Sequence, residues 1–202
     1  MTTALLVLFG YLVGSLSFAV IVSRFMQLPD PHSYGSGNPG ATNVLRTGNK
    51  RAAILTLVGD SLKGLFVVLA VRALAPGQGI DNSQIALAGL GAFLGHLYPL
   101  YFGFRGGKGV ATAAGVLFGL DLWLGLGVLG VWGAAFAVSR ISSVGALAAA
   151  LAAPVIAFGL VGAGVTLTVV AVMSALLLWR HRENIRKLRA GTEGRVKAES
   201  NR

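Results

Sequence analysis

Between Arg140 and Arg180 the chain runs for 39 residues, Ile141 to Trp179, without one charge. As a single α-helix this stretch would be about 58 Å long at 1.5 Å per residue, nearly twice a ~30 Å hydrocarbon core. It is therefore expected to cross lipid twice, reversing at Gly159 to Gly164. The rest of the chain agrees. Only 12% of the 202 residues are charged and 54% are hydrophobic, against roughly 25% charged in soluble domains. A soluble fold with so few charges would expose large apolar patches. The expected fold class is all-α, a polytopic integral membrane bundle forming one domain over 1–202. There is no cysteine, which excludes disulfides, thiol catalysis and Cys-ligated metal sites.

Further apolar runs extend from Ala4 to Ser23, Ala52 to Val71, Ser83 to Phe104 (interrupted by Pro99) and Leu122 to Ser139. The opening Met1-Thr2-Thr3 lacks the basic stretch of a signal peptide, so Ala4–Ser23 is read as a retained span. A short apolar segment precedes Asp121. Counting it gives seven transmembrane helices; if 109–139 re-enters without crossing, five. With the N-terminus outside and the C-terminus cytoplasmic, fifteen of the 17 Lys and Arg residues fall on one side. They occupy loops of about 24–51, 103–109 and 139–144 and a tail of 180–202, and only Lys63 and Arg72 lie elsewhere. The net charge of +10 thus reads first as positive-inside topology, then as affinity for an anionic substrate or lipid, with no nucleic acid partner.

The polar motifs collect on that same face. The first loop contains Gly35, Gly37 and Gly40 in a G-x-G-x-x-G pattern. A proline-rich loop after a membrane helix is not a Rossmann setting. Asn38-Pro39 reads as an N-cap and first helical position, with Gly-Ser-Gly before it presenting free N–H groups to phosphate. An ordinary loop-to-helix turn is the competing reading. The second loop, Gly106-Gly107-Lys108-Gly109, has the wrong spacing for an NTPase loop, leaving a glycine cluster, a lysine and a helix start. The third, Arg140-Ile-Ser142-Ser143, opens the next helix with two hydroxyls. In the tail, taken as a basic helix continuing the last span, His181, Asn184 and Leu188 share a face. Inside the second span Asp60 and Lys63 lie at i and i+3, either functional, or structural glue, or orienting a residue such as Lys108. His96 interrupts the third span.

Gly35-Ser-Gly-Asn-Pro-Gly-Ala-Thr-Asn43 with Arg46, Gly106 to Thr112, and His181-x-x-Asn184 through Gly191-Thr-Glu193 resemble the three signature regions of the PlsY family. These are bacterial glycerol-3-phosphate acyltransferases that use acyl phosphate. Gly14-Ser15, Asp60-x-x-Lys63-Gly64, Gly95-His96 and Ser142-Ser143 extend the likeness over nearly the whole chain. The resemblance implies a seven-helix enzyme of the bacterial inner membrane with its site at the cytoplasmic face. It would transfer a fatty acyl group from acyl phosphate to glycerol 3-phosphate, giving 1-acylglycerol 3-phosphate and phosphate, with no cofactor and no metal. An enzyme that forms acyl phosphate is then an upstream partner. The His-x4-Asp pair of soluble-type glycerolipid acyltransferases is absent: Gly37, Tyr101 and Arg186 stand five residues after the three histidines.

Carried onto this sequence, the expected catalytic group is Ser36, Lys108, His181 and Asn184. Substrate phosphates would be held by Gly35, Gly37, Asn38, Gly40, Thr42, Asn43, Arg46, Gly106, Gly107, Gly109, Ser142, Ser143 and Glu193. Asp60, Lys63 and His96 would support them. Both reactants carry phosphate, so fixed cations (Arg46, Lys108) and donors aimed at the charge developing on the carbonyl and leaving group suit the reaction. An acyl phosphate is already activated and needs no acyl-enzyme. The base is either His181 or a substrate phosphate oxygen. Gly89, Gly91 and Gly95 are expected to permit close packing around an acyl groove. Two rival classes are a small transporter of a phosphorylated anion and a structural protein binding anionic lipid.

Overall fold

The computed structural model describes residues 2–195; Lys197 and Arg202, counted above among the tail charges, lie outside them. Among these residues there are helices and no strand. The order is α1 (Thr3–Gly14), α2 (Phe18–Phe25), α3 (Ala41–Val44), α4 (Lys50–Leu74), α5 (Asn82–Leu97), α6 (Val110–Leu120), α7 (Leu122–Ser139), α8 (Ser142–Val161), α9 (Val165–Arg180) and α10 (Arg182–Arg189). Short 3-10 turns follow α3 and α5. Five segments are long and apolar enough to cross a membrane: α1 with α2, then α4, α5 with its 3-10 turn, α7 and α8. Counting α9 with α10, bent by 54°, makes a sixth. With 11 residues, α6 is about 16 Å long, roughly half a hydrocarbon core.

Helix ends follow local chemistry. The uncharged run reverses where expected, at Gly162-Ala163-Gly164, with Gly162 at φ +69°. The carboxylates of Asp81 and Asp121 accept from Gln84 N (2.9 Å) and Leu124 N (2.8 Å), capping α5 and α7. Three expectations are corrected. Ala4–Ser23 is not one continuous helix, since Ser17 is extended (φ −90°, ψ 98°) and the chain restarts at Phe18. Asn38-Pro39 does not open a helix; α3 begins at Ala41 after an extended Gly40. The tail does not continue the last span straight, because α10 departs at His181.

The bundle is built around α5, whose Phe93 and Leu97 sit in the largest apolar cluster with Val67 and Val71 of α4, Val116 of α6 and Met173 of α9. Small residues set the helix spacing. Any Cβ on Gly10 or Gly14 of α1 would strike backbone at Ala88 or Ala92 of α5. Gly91 and Gly95 of α5 meet Val7 and Tyr11 of α1 in the same way, while Gly89 faces Val116 of α6. Gly89, Gly91 and Gly95 therefore permit the close packing expected of them, by seating α5 against α1 and α6. Backbones this close gain dispersion contacts that larger side chains would forbid. Gly91→Val should accordingly destabilise the bundle by about 1–3 kcal/mol through overpacking. Gly130→Val, where nothing lies within 4 Å, should not. Thermal unfolding in detergent checks the contrast.

Candidate active site

The three loops and α10 converge on one end of a cavity of about 460 Å³. Leu62 of α4, Phe118 of α6, Trp132 of α7, Ala150 of α8 and Met173 of α9 line its apolar part. The polar end is lined by Ser36, Asn38, Gly40, Thr42, Asn43 and Arg46 from the first loop and by Lys108 and Gly109 from the second. Ser142 and Ser143 open α8 there, and His181, Asn184 and Glu193 close it from the tail. Residues more than 100 positions apart in sequence thus share one wall, as expected for the site. Gly35, Gly37, Gly106, Gly107 and Lys63 stand behind it.

The first loop is fastened by Asn43. Its Nδ2 donates to Pro31 O (2.8 Å) and Tyr34 O (3.2 Å), and its Oδ1 accepts from Ser36 N (3.0 Å) and Ser36 Oγ (3.2 Å). Both amide protons are committed to the loop, so Asn43 shapes the site rather than donating to an anion. Gly35 and Gly37, at φ +60° and +63°, permit the turn. A Cβ on Gly35 would also run into Asn43 and Arg46. No base is bonded to Ser36 among the described residues; its hydroxyl partner is Asn43.

Across the cavity mouth runs a chain of contacts. Lys108 Nζ donates to Asn184 Oδ1 (2.5 Å), Asn184 Nδ2 to Glu193 Oε1 (2.6 Å), and Ser143 Oγ to the same carboxylate oxygen (2.8 Å). Thr42 Oγ1 lies 3.4 Å from Ser142 Oγ. Glu193 is an acceptor for two of the predicted donors and orients them; a carboxylate does not itself attract phosphate. The helix starts of α6 and α8 add N–H groups and positive dipole ends beside Lys108.

Lys108 and His181 have perturbed acidity. Burial, opposed in part by Glu193 and reinforced by Lys187, Arg180 and Arg46, pulls the Lys108 ammonium down to about 8. Burial pulls His181 down to about 4. His181 Nδ1 lies 2.8 Å from Leu177 O, so a neutral ring places its proton there and leaves Nε2 as an acceptor.

Asp60 does not orient Lys108. Its carboxylate is 2.8 Å from Lys63 Nζ and 3.5 Å from His96 Nδ1. Lys63 also donates to Leu16 O (2.6 Å), at the break between α1 and α2, and lies 3.0 Å from His96 Nδ1. Sequence reading also missed Arg180, counted only as a topology charge. Its guanidinium donates to Gly106 O (2.7 Å) and Gly107 O (3.2 Å), which lie 74 and 73 positions away, and no local pattern signals such partners.

Fold and cavity define a multi-pass membrane protein whose apolar cavity ends in a cluster of cationic and hydroxyl-bearing residues. The family model described as glycerol-3-phosphate acyltransferase matches residues 4–191. A glycerol-3-phosphate acyltransferase of Thiobacillus denitrificans is 58% identical over 192 residues, 95% of this chain and 96% of the relative. That of Cupriavidus metallidurans is 55% identical over 196 residues, 97% of each chain. The crystal structure of PlsY, an integral membrane glycerol 3-phosphate acyltransferase, in its glycerol 3-phosphate form superposes with a TM-score of 0.88 at 38% identity, covering 96% of each chain. Its lysophosphatidic acid form gives 0.86 at 37%, covering 96% of this chain and 95% of that one. The chain belongs to the glycerol-3-phosphate acyltransferase family, and it is an acyltransferase of phospholipid synthesis.

The Lys108 shift carries a pH signature. An ammonium of pKa about 8 is cationic below that value and neutral above it, so anion binding that needs its charge is lost as pH rises through about 8. The pH profile of kcat/KM should fall on the alkaline side, and Lys108→Arg, charged at every accessible pH, should move that limb upward.

Proposed function

We propose that this protein transfers a fatty acyl group directly from acyl phosphate to the 1-hydroxyl of glycerol 3-phosphate, releasing inorganic phosphate and 1-acylglycerol 3-phosphate. The observation that carries this is the continuity of the cavity. Arg46, Lys108 and two helix starts stand at one end, and an apolar tunnel between α4 and α6–α9 leads away from them. A small anion needs only the first part and an acyl chain only the second; an acyl phosphate needs both. The bound forms of PlsY, with glycerol 3-phosphate and with lysophosphatidic acid, support the same pair of substrate and product.

In this reading the glycerol hydroxyl oxygen attacks the acyl carbonyl carbon while the bond from that carbon to the phosphate oxygen breaks. The phosphate leaves with the bonding pair. Arg46 and Lys108 neutralise the two phosphates, and the hydroxyls of Ser142 and Thr42 donate to their oxygens. Charge develops on the carbonyl and phosphate oxygens, where preorganised donors contribute most. Holding the hydroxyl against the carbonyl supplies much of the remainder. His181 Nε2 accepts the hydrogen bond of the attacking hydroxyl and orients it. With its pKa near 4 it is a weaker base than a phosphate group whose second pKa is about 6, so a phosphate oxygen takes the proton. Ser36, lacking an adjacent base, is not a nucleophile; it shapes the phosphate cradle with Asn43. Asp60 and His96 reach the cavity wall and, with Lys63 behind them, hold the surrounding helices together. No metal or cofactor takes part.

The proposed topology has seven passes, with α6 as a short crossing, the N-terminus outside and the tail and site at the cytoplasmic face of the bacterial inner membrane. The acyl-phosphate-forming enzyme then delivers a donor that partitions between cytosol and membrane.

Purified protein in detergent, given acyl phosphate and labelled glycerol 3-phosphate, should form lysophosphatidic acid without a sealed compartment. No product would refute the reading, and uptake only in vesicles would favour a transporter. In that assay Lys108→Ala and Asn184→Ala should each lower kcat/KM by about 100-fold or more; near-normal rates would move the site elsewhere. Mass spectrometry of quenched turnover should find Ser36 unmodified, and an acylated Ser36 would overturn direct transfer.

A further inference from the structure

Three successive carbonyls of the second loop are held by side chains from distant parts of the chain. Arg105 O lies 2.9 Å from His32 Nε2, Gly106 O accepts from Arg180 Nη2 (2.7 Å) and Gly107 O from Arg180 Nε (3.2 Å). All peptide bonds of the described residues are trans, and a trans peptide points the carbonyl of one residue opposite to the N–H of the next. The N–H groups of Gly107 and Lys108 are therefore turned away from Arg180. That of Gly107 meets His96 O at 3.1 Å. That of Lys108 has no protein acceptor among the described residues, and it leads into the N-terminus of α6, whose first residues line the cavity.

Arg180 is itself held. Its guanidinium lies 5.9 Å from the centre of the Tyr98 ring, and Tyr98 is fixed through its carbonyl by the Tyr11 hydroxyl (2.6 Å). It does not line the cavity. It immediately precedes His181, where α10 bends off by 54° to return Asn184 to Lys108. One side chain thus links the loop bearing Lys108 to the elbow bearing its partner. A charge serving only topology or lipid contact needs neither two backbone carbonyls nor an aromatic ring beneath it.

We infer that Arg180 is the positioning residue of the second loop: its guanidinium fork fixes the Gly106 and Gly107 peptides so that Gly107 N–H stays on His96 O while the Lys108 N–H and ammonium face a substrate phosphate. The inference rests on the proposed acyl transfer. Lysine cannot replace arginine here, because an ammonium lacks the planar fork that spans two successive carbonyls.

The test uses the purified full-length protein, wild type, Arg180→Gln and Arg180→Lys. KM is measured for glycerol 3-phosphate and for acyl phosphate, with the dissociation constant of inorganic phosphate from its stabilisation of the folded protein. In Arg180→Gln, KM for at least one phosphorylated substrate and the phosphate constant should rise about tenfold, some 1.4 kcal/mol, with kcat within about threefold. Arg180→Lys should recover less than half of that loss although it keeps the charge. Both constants within about twofold of wild type in Arg180→Gln would overturn the inference. So would Arg180→Lys matching wild type, or kcat falling with KM unchanged. If Arg180→Gln does not fold, Arg180→Lys decides by the same criterion. If the wild type forms no lysophosphatidic acid, the acyl-transfer reading fails, and the phosphate constants of the variants still test the positioning role separately.

Discussion

The rest of this structure depends on one buried ammonium. Lys63 Nζ is ion-paired with Asp60 Oδ1 at 2.8 Å, donates to Leu16 O and lies 3.0 Å from His96 Nδ1. A cation at membrane depth without partners is costly, and removing one partner from a buried pair leaves the other uncompensated. Satisfying this one group joins four elements. Asp60 and Lys63 belong to α4, His96 to α5, and Leu16 to the break between α1 and α2. The break is tolerable because Lys63 receives a carbonyl that helix continuity would otherwise have engaged. From α5 the link continues to the second loop, since His96 O accepts from Gly107 N. Gly107 also has no room for a Cβ, which would press on His96 Nε2 and Pro39 O.

Around the cavity several side chains serve mainly to hold others in place. Asn43 tightens the first loop, His96 and Arg180 hold the second from opposite sides, and Glu193 orients Ser143 and Asn184. This division lets a site made of loops keep fixed geometry. Glycine-rich segments lose much conformational entropy on ordering, and bonds to rigid helices offset that loss. It also explains how Lys108 can be both buried enough to have a lowered pKa and free enough to meet an anion: its partner is a neutral amide rather than a carboxylate.

Much of the fold was legible in the sequence because lipid imposes a simple rule. Apolar runs of sufficient length span, and charges and glycine loops fall between them. The reversal at Gly162–Gly164, the convergence of Ser36, Lys108, Ser142 and Asn184, and the family itself were all readable in advance. What was misread depended on partners remote in sequence. Ala4–Ser23 contains no proline, and the interruption that follows Gly14-Ser15 frees Leu16 O for Lys63, 47 positions on. Asn38-Pro39 has the form of a helix start, yet α3 begins at Ala41. The i, i+3 pairing of Asp60 with Lys63 was readable, and of the alternatives offered only the orienting of Lys108 fails. Close packing at Gly89, Gly91 and Gly95 was readable, but only the approach of α1 and α6 shows which helices they seat.

The sequence by itself determined that this chain is a multi-pass membrane protein, which runs are apolar enough to span, and which motifs mark its family. Those properties follow from hydrophobicity and from residue types at short spacing, and both are local. Only the tertiary structure decided which cation does which work. Arg46 and Lys108 line the cavity, Lys63 is absorbed by Asp60, Leu16 and His96, and Arg180 is engaged by two backbone carbonyls. A positive charge looks the same along a chain wherever it stands. Its role is set by the acceptors that packing brings within about 3 Å, and these are chosen by the whole bundle.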